Sequence, residues 1–141
     1  MFAYFDNSAT TRPCPEAIEA MMQALETGWA NPSALYRFGM DAAHQLKKAR
    51  GQVAAAMGAE PDRVFFTSGG TEADNWAVSG VMERMGKRCR HIVTTAVEHA
   101  AILRPMAHLE SQGYTVTYLT PDHLGNISPE QLQSALRPDT A

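Results

Sequence analysis

The sequence is poor in the features that mark several classes of protein. It has only 2 cysteines among 141 residues, and Cys14 and Cys89 form no CxxC or Cys/His spacing, which argues against a disulfide framework and a zinc site. Basic residues are not in excess, because 12 lysines and arginines stand against 15 aspartates and glutamates. Sequence-independent binding to nucleic-acid phosphates needs such an excess. We therefore expect neither a nucleic acid nor a metal ion as a partner.

Long apolar runs are also missing. None approaches the roughly 20 residues that a membrane helix needs, and the N-terminal MFAYFDNSATTRP lacks the basic and then apolar regions of a secretion signal. We expect a cytoplasmic protein that does not enter a membrane. Hydrophobic residues still make up 45% of the chain, which is enough to form a globular core.

Helical periodicity dominates the first part of the chain. Apolar residues recur every three or four positions in two segments, 15–27 and 41–57, and these predict two amphipathic helices. The turn-forming segment 28–39 between them predicts an ordered loop. The apolar residues expected to face a core are Ile18, Met21, Met22 and Leu25 in the first helix, and Leu46, Ala49, Val53 and Met57 in the second.

From residue 64 onwards, short β-prone runs alternate with helical segments. Strands are predicted at 64–67, 91–95 and 114–119, with helices between them. Helical core stripes are expected at Ala73, Trp76, Ala77, Gly80 and Val81, and at Ile102, Leu103, Met106 and Leu109. Ser128, Pro129 and Gln131 are typical of the capped start of a last helix. Strands joined through helices predict an α/β fold, with a mostly parallel sheet, helices on its faces and N-terminal helices preceding it.

The length fits one domain over residues 1–141. We expect residues 1–40 to form an N-terminal segment with a helix and an ordered loop, and residues 41–141 to supply the long helix and the first strands of a large domain. The sequence stops directly after a helix, where the next strand of such a series is expected. We therefore expect either a small sheet or a fragment of a larger domain.

A glycine turn is the sharpest local signal for chemistry. Phe66 to Asn75 reads FTSGGTEADN, in which small residues lie between a predicted strand and a helix. Backbone N–H groups at such a helix start can bind an anion such as a phosphate, and the hydroxyls of Ser68 or Thr71 can add donors. The alternative is a structural turn, with Thr71 and Asp74 forming a capping box.

His99 is the second candidate, because it follows the carboxyl end of the predicted strand 91–95. Ligands of open α/β sheets bind at that edge, so His99 and the glycine turn are expected to share it. The alternative is a surface or helix-capping histidine. Short polar side chains in the segments 6–11 and 31–33 are typical either of turns or of ligand contacts.

Four segments in this order resemble the cysteine desulfurases, NifS-like members of the class V aminotransferase group. They are YFDNSATT, NPSALYRFG, FTSGGTEADN and TTAVEHAA, and the resemblance spans the whole chain. It implies part of the large domain of a fold type I enzyme that uses pyridoxal 5′-phosphate (PLP). Such an enzyme is a homodimer that converts L-cysteine to L-alanine and passes the sulfur, as an enzyme persulfide, to an acceptor protein for iron–sulfur cluster assembly or other sulfur transfer.

The resemblance also implies roles for individual residues. Gly70 and Thr71 are expected to contact the cofactor phosphate, and His99 to stack on the pyridine ring and take part in catalysis. The residues expected near the substrate are Ala9, Thr10, Thr11 and Asn31. The resemblance places Asn31 and Arg37 in a loop that is expected near the active site or at the dimer contact.

The family's Schiff-base lysine, the acid partner of the pyridinium nitrogen and the nucleophilic cysteine have no counterpart in this sequence. The available lysines, Lys47, Lys48 and Lys87, fall on a predicted solvated helix face and a loop tip. We therefore expect the chain alone to be inactive. A selenocysteine lyase, another class V PLP enzyme and a non-catalytic, partner-binding fragment remain open as alternatives.

Overall fold

A computed structural model describes residues 3–85 and 88–141. It divides into two compact units, Met1–Phe65 and Phe66–Ala141. The boundary lies inside the predicted segment 41–141, and the assignment of 1–40 and 41–141 within a transferase domain stays a prediction. Among the described residues, no helix is long and apolar enough to cross a membrane.

The first unit contains two helices, α1 (Pro15–Thr27) and α2 (Arg37–Met57), followed by a short 3-10 turn at Pro61–Arg63. The predicted bounds of α1 and the end of α2 are confirmed, and Gly58 caps α2 in the left-handed region with φ 64°.

The start of α2 was predicted one turn too late. Gly39, which was expected to close the loop, lies buried inside the first turn of the helix. A Cβ at this position would collide with the carbonyl oxygen and Cβ of Ala34 and would lie 2.8 Å from the carbonyl oxygen of Asn31. The glycine therefore serves close backbone packing and does not end the loop.

The apolar faces of these helices are not covered within the described residues. The predicted core residues of α1, namely Ile18, Met21, Met22 and Leu25, are 45 to 71% exposed. In α2 the buried residues are Gly39, Ala42 and Ala54, and the predicted stripe is not among them. Periodicity correctly identified the helices, but it does not report which face is packed.

The second unit is built as an α/β layer. Its elements are α3 (Gly70–Met85), β1 (His91–Thr95), α4 (Ala100–Ser111), β2 (Thr115–Leu119) and α5 (Pro129–Ala135). Strands β1 and β2 pair in parallel, from His91 opposite Thr115 to Thr95 opposite Leu119. The predicted α/β class and parallel pairing are confirmed. So is the cap of α5, where Ser128 and Gln131 exchange hydrogen bonds in a capping box.

The prediction of a strand at 64–67 is wrong, because these residues do not form a strand in the structure. β propensity depends strongly on context, so a β-prone run of four residues predicts a strand only weakly. Besides β2, strand β1 pairs with the segment 139–141, because the N–H of His91 donates to the carbonyl of Asp139 (3.2 Å) and the N–H of Ala141 donates to the carbonyl of His91 (2.8 Å).

Helix α3 packs on α4 with a different face from the predicted one. Met82 is its buried residue, whereas Trp76 and Val81 of the predicted stripe are 56% and 49% exposed. In α4 the prediction holds better, since Met106 and Leu109 are buried together with Ala101. The α3–α4 contact therefore involves the side of α3 that carries Asn75 and Met82.

Candidate functional site

The glycine turn opens directly into the first turn of α3. The first helical hydrogen bond here runs from the N–H of Ala73 to the carbonyl of Gly69, at 3.1 Å. The N–H groups of Gly70 and Thr71 precede it, so helix geometry provides them with no acceptor inside the helix. Both residues are exposed, and a Cβ added at Gly70 would meet no atom within 4 Å. An anion can therefore reach these donors, which lie at the positive end of the helix dipole.

The side chain of Glu72 stabilises the glycine turn through hydrogen bonds with Ser68. Its Oε2 accepts hydrogen bonds from the Ser68 N–H at 2.6 Å and from the Ser68 hydroxyl at 2.7 Å. These two bonds, the backbone one first, lower the pKa of the Glu72 carboxyl and keep it ionised. Because α3 begins at Gly70, Thr71 lies inside the helix and is not its N-cap, so the predicted capping box of Thr71 and Asp74 is wrong. Of the two hydroxyls expected to bind an anion, that of Ser68 is already engaged, which leaves Thr71.

His99 lies four residues beyond β1 and is the N-cap of α4. Its Nδ1 accepts a hydrogen bond from the N–H of Ala101 at 3.1 Å. Because an accepting nitrogen carries no proton, the neutral imidazole holds its proton on Nε2. The capping interpretation is thus correct for Nδ1. The residue is nevertheless exposed, so the ring and Nε2 remain accessible to a ligand.

Asn75 connects the glycine turn to the start of the helix that His99 caps, at the N-terminal ends of α3 and α4. Its Nδ2 donates to the carbonyl of Thr71 at 2.8 Å and to the carbonyl of Ala101 at 3.3 Å. The first turn of α3, which carries Gly70 and Thr71, is thereby joined to the first turn of α4, which follows His99. Sequence reasoning missed this role of Asn75, although its spacing of four residues from Thr71 on a helix was a usable signal.

The residues predicted near the substrate lie in the other unit, Met1–Phe65, and all are exposed: Ala9, Thr10, Thr11 and Asn31. Their contacts there are local. Asn31 Oδ1 accepts from the N–H of Ser33 at 2.9 Å, and the Thr11 hydroxyl donates to Asn7 Oδ1 at 3.3 Å. Their role near a substrate stays a prediction.

Lysine and cysteine side chains are the groups that a PLP-dependent desulfurase would use for covalent chemistry. Lys47 and Lys48 are exposed on α2, and Lys87 lies outside the described residues. Cys14 is exposed at the start of α1, and Cys89 is partly exposed. No group of three or more histidine, cysteine, aspartate or glutamate residues that could hold a metal occurs within residues 3–85 and 88–141.

His91, the first residue of β1, is fully buried. Its ring nitrogens lie 2.7 Å from the Thr140 hydroxyl and 2.8 Å from the Thr117 hydroxyl. Burial, and then the Arg137 guanidinium, lower the pKa of His91, with Asp139 acting in the opposite sense. His91 stands at the amino end of β1, away from the strand end that leads to His99, so we assign it a structural role.

Comparison with known proteins places these features in a family context. Residues 3–141 match the family model described as Aminotransferase class-V. The chain is 44% identical over 137 residues to a cysteine desulfurase IscS of Methanosarcina thermophila, covering 97% of this chain and 34% of that protein. It is also 44% identical over 138 residues to a NifS/IcsS protein homolog of Lactobacillus delbrueckii subsp. bulgaricus, covering 97% and 36%.

Solved structures agree with this similarity. A NifS-like protein superposes with a TM-score of 0.91 at 38% identity, covering 99% of this chain and 38% of that one. A structure described as SspA in complex with cysteine gives a TM-score of 0.87 at 37% identity, covering 97% and 40%. The chain thus spans about a third of the length of the curated relatives that it matches.

Proposed function

The chain belongs to the aminotransferase class-V family, and from that premise we propose that it supplies the phosphate and ring side of the active site of a PLP-dependent cysteine desulfurase. The observation that carries the proposal is the joining of the glycine turn to the helix capped by His99, through Asn75. Relatives named cysteine desulfurase, at 42 to 44% identity, support the choice of activity within the family.

The residues present fit a phosphorylated aromatic cofactor. The N–H groups of Gly70 and Thr71 and the Thr71 hydroxyl are donors suited to a phosphate at a helix N-terminus. The exposed ring of His99 is suited to stacking on a pyridine ring. Its Nε2 carries the proton and takes no part in the hydrogen bond that Nδ1 accepts from Ala101. When bound, PLP supplies an electron sink for chemistry at the amino-acid substrate. His99 would hold the ring in place and carry a proton at Nε2.

The reaction we propose removes sulfur from L-cysteine, leaving L-alanine. The sulfur passes to a cysteine thiol as a persulfide, and then to an acceptor protein for iron–sulfur cluster assembly or another sulfur-transfer route. Lys47 and Lys48 are exposed on α2 and do not suit a Schiff base. The lysine, the pyridinium partner and the nucleophilic cysteine are therefore proposed to come from other parts of the protein. We further propose a cytoplasmic homodimer.

The test uses the protein that contains this chain, purified and loaded with PLP. L-Cysteine and L-selenocysteine are supplied separately, each with excess dithiothreitol to reduce the enzyme persulfide, and alanine, sulfide and selenide are measured. We expect alanine and sulfide from L-cysteine, and sedimentation of a dimer. Alanine formed from L-selenocysteine alone would favour a selenocysteine lyase. PLP uptake without alanine from either substrate would point to another class V reaction and refute the proposal.

A further inference from the structure

Helix α4 contains a proline in its second turn, at Pro105. Proline has no backbone N–H, so the carbonyl of Ala101, four residues earlier, lacks its usual donor within the helix. Ala101 is only 5% exposed, which limits the access of water to this carbonyl. A buried carbonyl without a donor is costly, and a partner from outside α4 is therefore needed.

Asn75 of α3 provides that partner. Its Nδ2 donates to the Ala101 carbonyl at 3.3 Å and to the Thr71 carbonyl at 2.8 Å. An amide nitrogen has two hydrogens, so one Asn75 side chain can serve both acceptors at once. The hydrogen bond that Pro105 cannot make within α4 is thus replaced by one that reaches across to α3.

Ala101 is also bonded to His99, because the backbone N–H of Ala101 donates to His99 Nδ1. A continuous path of hydrogen bonds therefore runs from Thr71 through Asn75 and Ala101 to His99. It joins the residue expected at the phosphate to the residue expected at the ring.

We propose that Asn75 is a positioning residue that, together with the gap left by Pro105, sets the position of His99 relative to the glycine turn. The inference rests on the proposed function, because only a bound cofactor makes that position matter. If Asn75 had a purely structural role, any hydrogen-bond donor to the Ala101 carbonyl could replace it. If Asn75 positions His99, the donor has to come from α3.

The two roles are separated by restoring the missing donor inside α4. Asn75→Ala removes the bridge, and Pro105→Ala returns an N–H that can bond the Ala101 carbonyl within the helix. The parent, both single variants and the double variant are compared as PLP-loaded protein. Ser79→Ala, an exposed change one turn further along α3, is the matched control. Denaturant unfolding, PLP affinity, the visible circular dichroism of bound PLP and kcat with L-cysteine are measured.

We expect Asn75→Ala to raise the unfolding equilibrium constant about tenfold or more when residue 105 is proline, and by less than about threefold when it is alanine. Ellipticity of bound PLP should change in both variants that lack Asn75, and kcat should fall about tenfold or more in both. Stability is thus recovered in the double variant while the cofactor signals are not. Ser79→Ala should match the parent in every measurement.

The positioning role is overturned if ellipticity and kcat return to parent values in the double variant along with stability. It is also overturned if Asn75→Ala costs the same stability in both backgrounds, because the bridge would then not replace the Pro105 bond. A parent protein that takes up no PLP would refute the proposed function itself. In that case the positioning role falls with it, and the stability cycle still reports whether the bridge exists.

Discussion

Replacing His91 by phenylalanine tests how the parallel strands are held together at their amino ends. The imidazole is fully buried and lies between the hydroxyls of Thr140 and Thr117, at 2.7 and 2.8 Å. Through these bonds it links β1 both to β2 and to the segment 139–141. Phenylalanine keeps a ring of similar size but offers neither a donor nor an acceptor, so the change removes the polar contacts without opening a large cavity.

The expected loss follows from the two hydrogen bonds. Each contributes about 0.5 to 1.5 kcal/mol net, so we expect the free energy of unfolding to fall by about 1 to 3 kcal/mol. Both threonines are only half-buried, and water can partly replace the lost contacts. His123→Phe makes the same chemical change at an exposed turn residue and should stay within about 0.5 kcal/mol of the parent.

The pH dependence supplies a second, independent readout. Burial lowers the pKa of His91 below its ordinary 6.5 in the folded protein, so between these values the unfolded state binds more protons than the folded one. The stabilisation that His91 contributes by remaining neutral is therefore fully present above about pH 6.5 and is lost as the pH falls through the window below it. The difference in stability between parent and His91→Phe should shrink in that window.

Urea unfolding of parent, His91→Phe and His123→Phe at several pH values from 5 to 8 measures both effects. A loss smaller than about 0.5 kcal/mol at pH 8 would mean that the two hydroxyl contacts contribute little to stability. A stability difference that stays constant with pH would show that the folded protein does not hold His91 neutral.

Four further predictions concern the site and the backbone. Thr71→Ala should weaken PLP binding about tenfold or more, because a hydrogen bond to a charged phosphate is lost, as measured by cofactor titration. His99→Ala should lower kcat while PLP content and the melting temperature change little. Gly39→Ala should destabilise the protein by about 1 to 3 kcal/mol in denaturant unfolding through collision with backbone. The 141-residue chain by itself, mixed with PLP and L-cysteine, should form no alanine catalytically.

Each of these has a control or a contrary outcome. Ser68→Ala is the control for Thr71→Ala, since the Ser68 hydroxyl is engaged by Glu72, and equal losses in both would argue against a specific phosphate donor. Normal turnover in His99→Ala would remove His99 from the reaction. Gly51→Ala, where a Cβ meets nothing within 4 Å, should be neutral or stabilising by up to about 1 kcal/mol. Sustained alanine formation by the chain alone would contradict the expected need for further residues.

The sequence alone determined the local features of this protein. Helical periodicity identified α1 and the end of α2, and the Ser128 cap and the parallel pairing of β1 with β2 were predicted correctly. These features depend on residues close in the chain, or on the general rule that strands connected through helices pair in parallel. The family resemblance could also be recognised from the sequence, because each of the four motifs is a short continuous segment.

Which residues come into contact across long stretches of the chain depends on how the elements pack. The fold contains no strand at 64–67 among the described residues, and it pairs the segment 139–141 with His91 of β1. The same packing places Asn75 of α3 against α4. There Pro105, thirty positions further along the sequence, leaves the Ala101 carbonyl without a donor from its own helix. Such contacts depend on how two faces pack, and neither face by itself encodes its partner. The bridge from Thr71 to His99 is therefore visible in the fold and not in either motif alone.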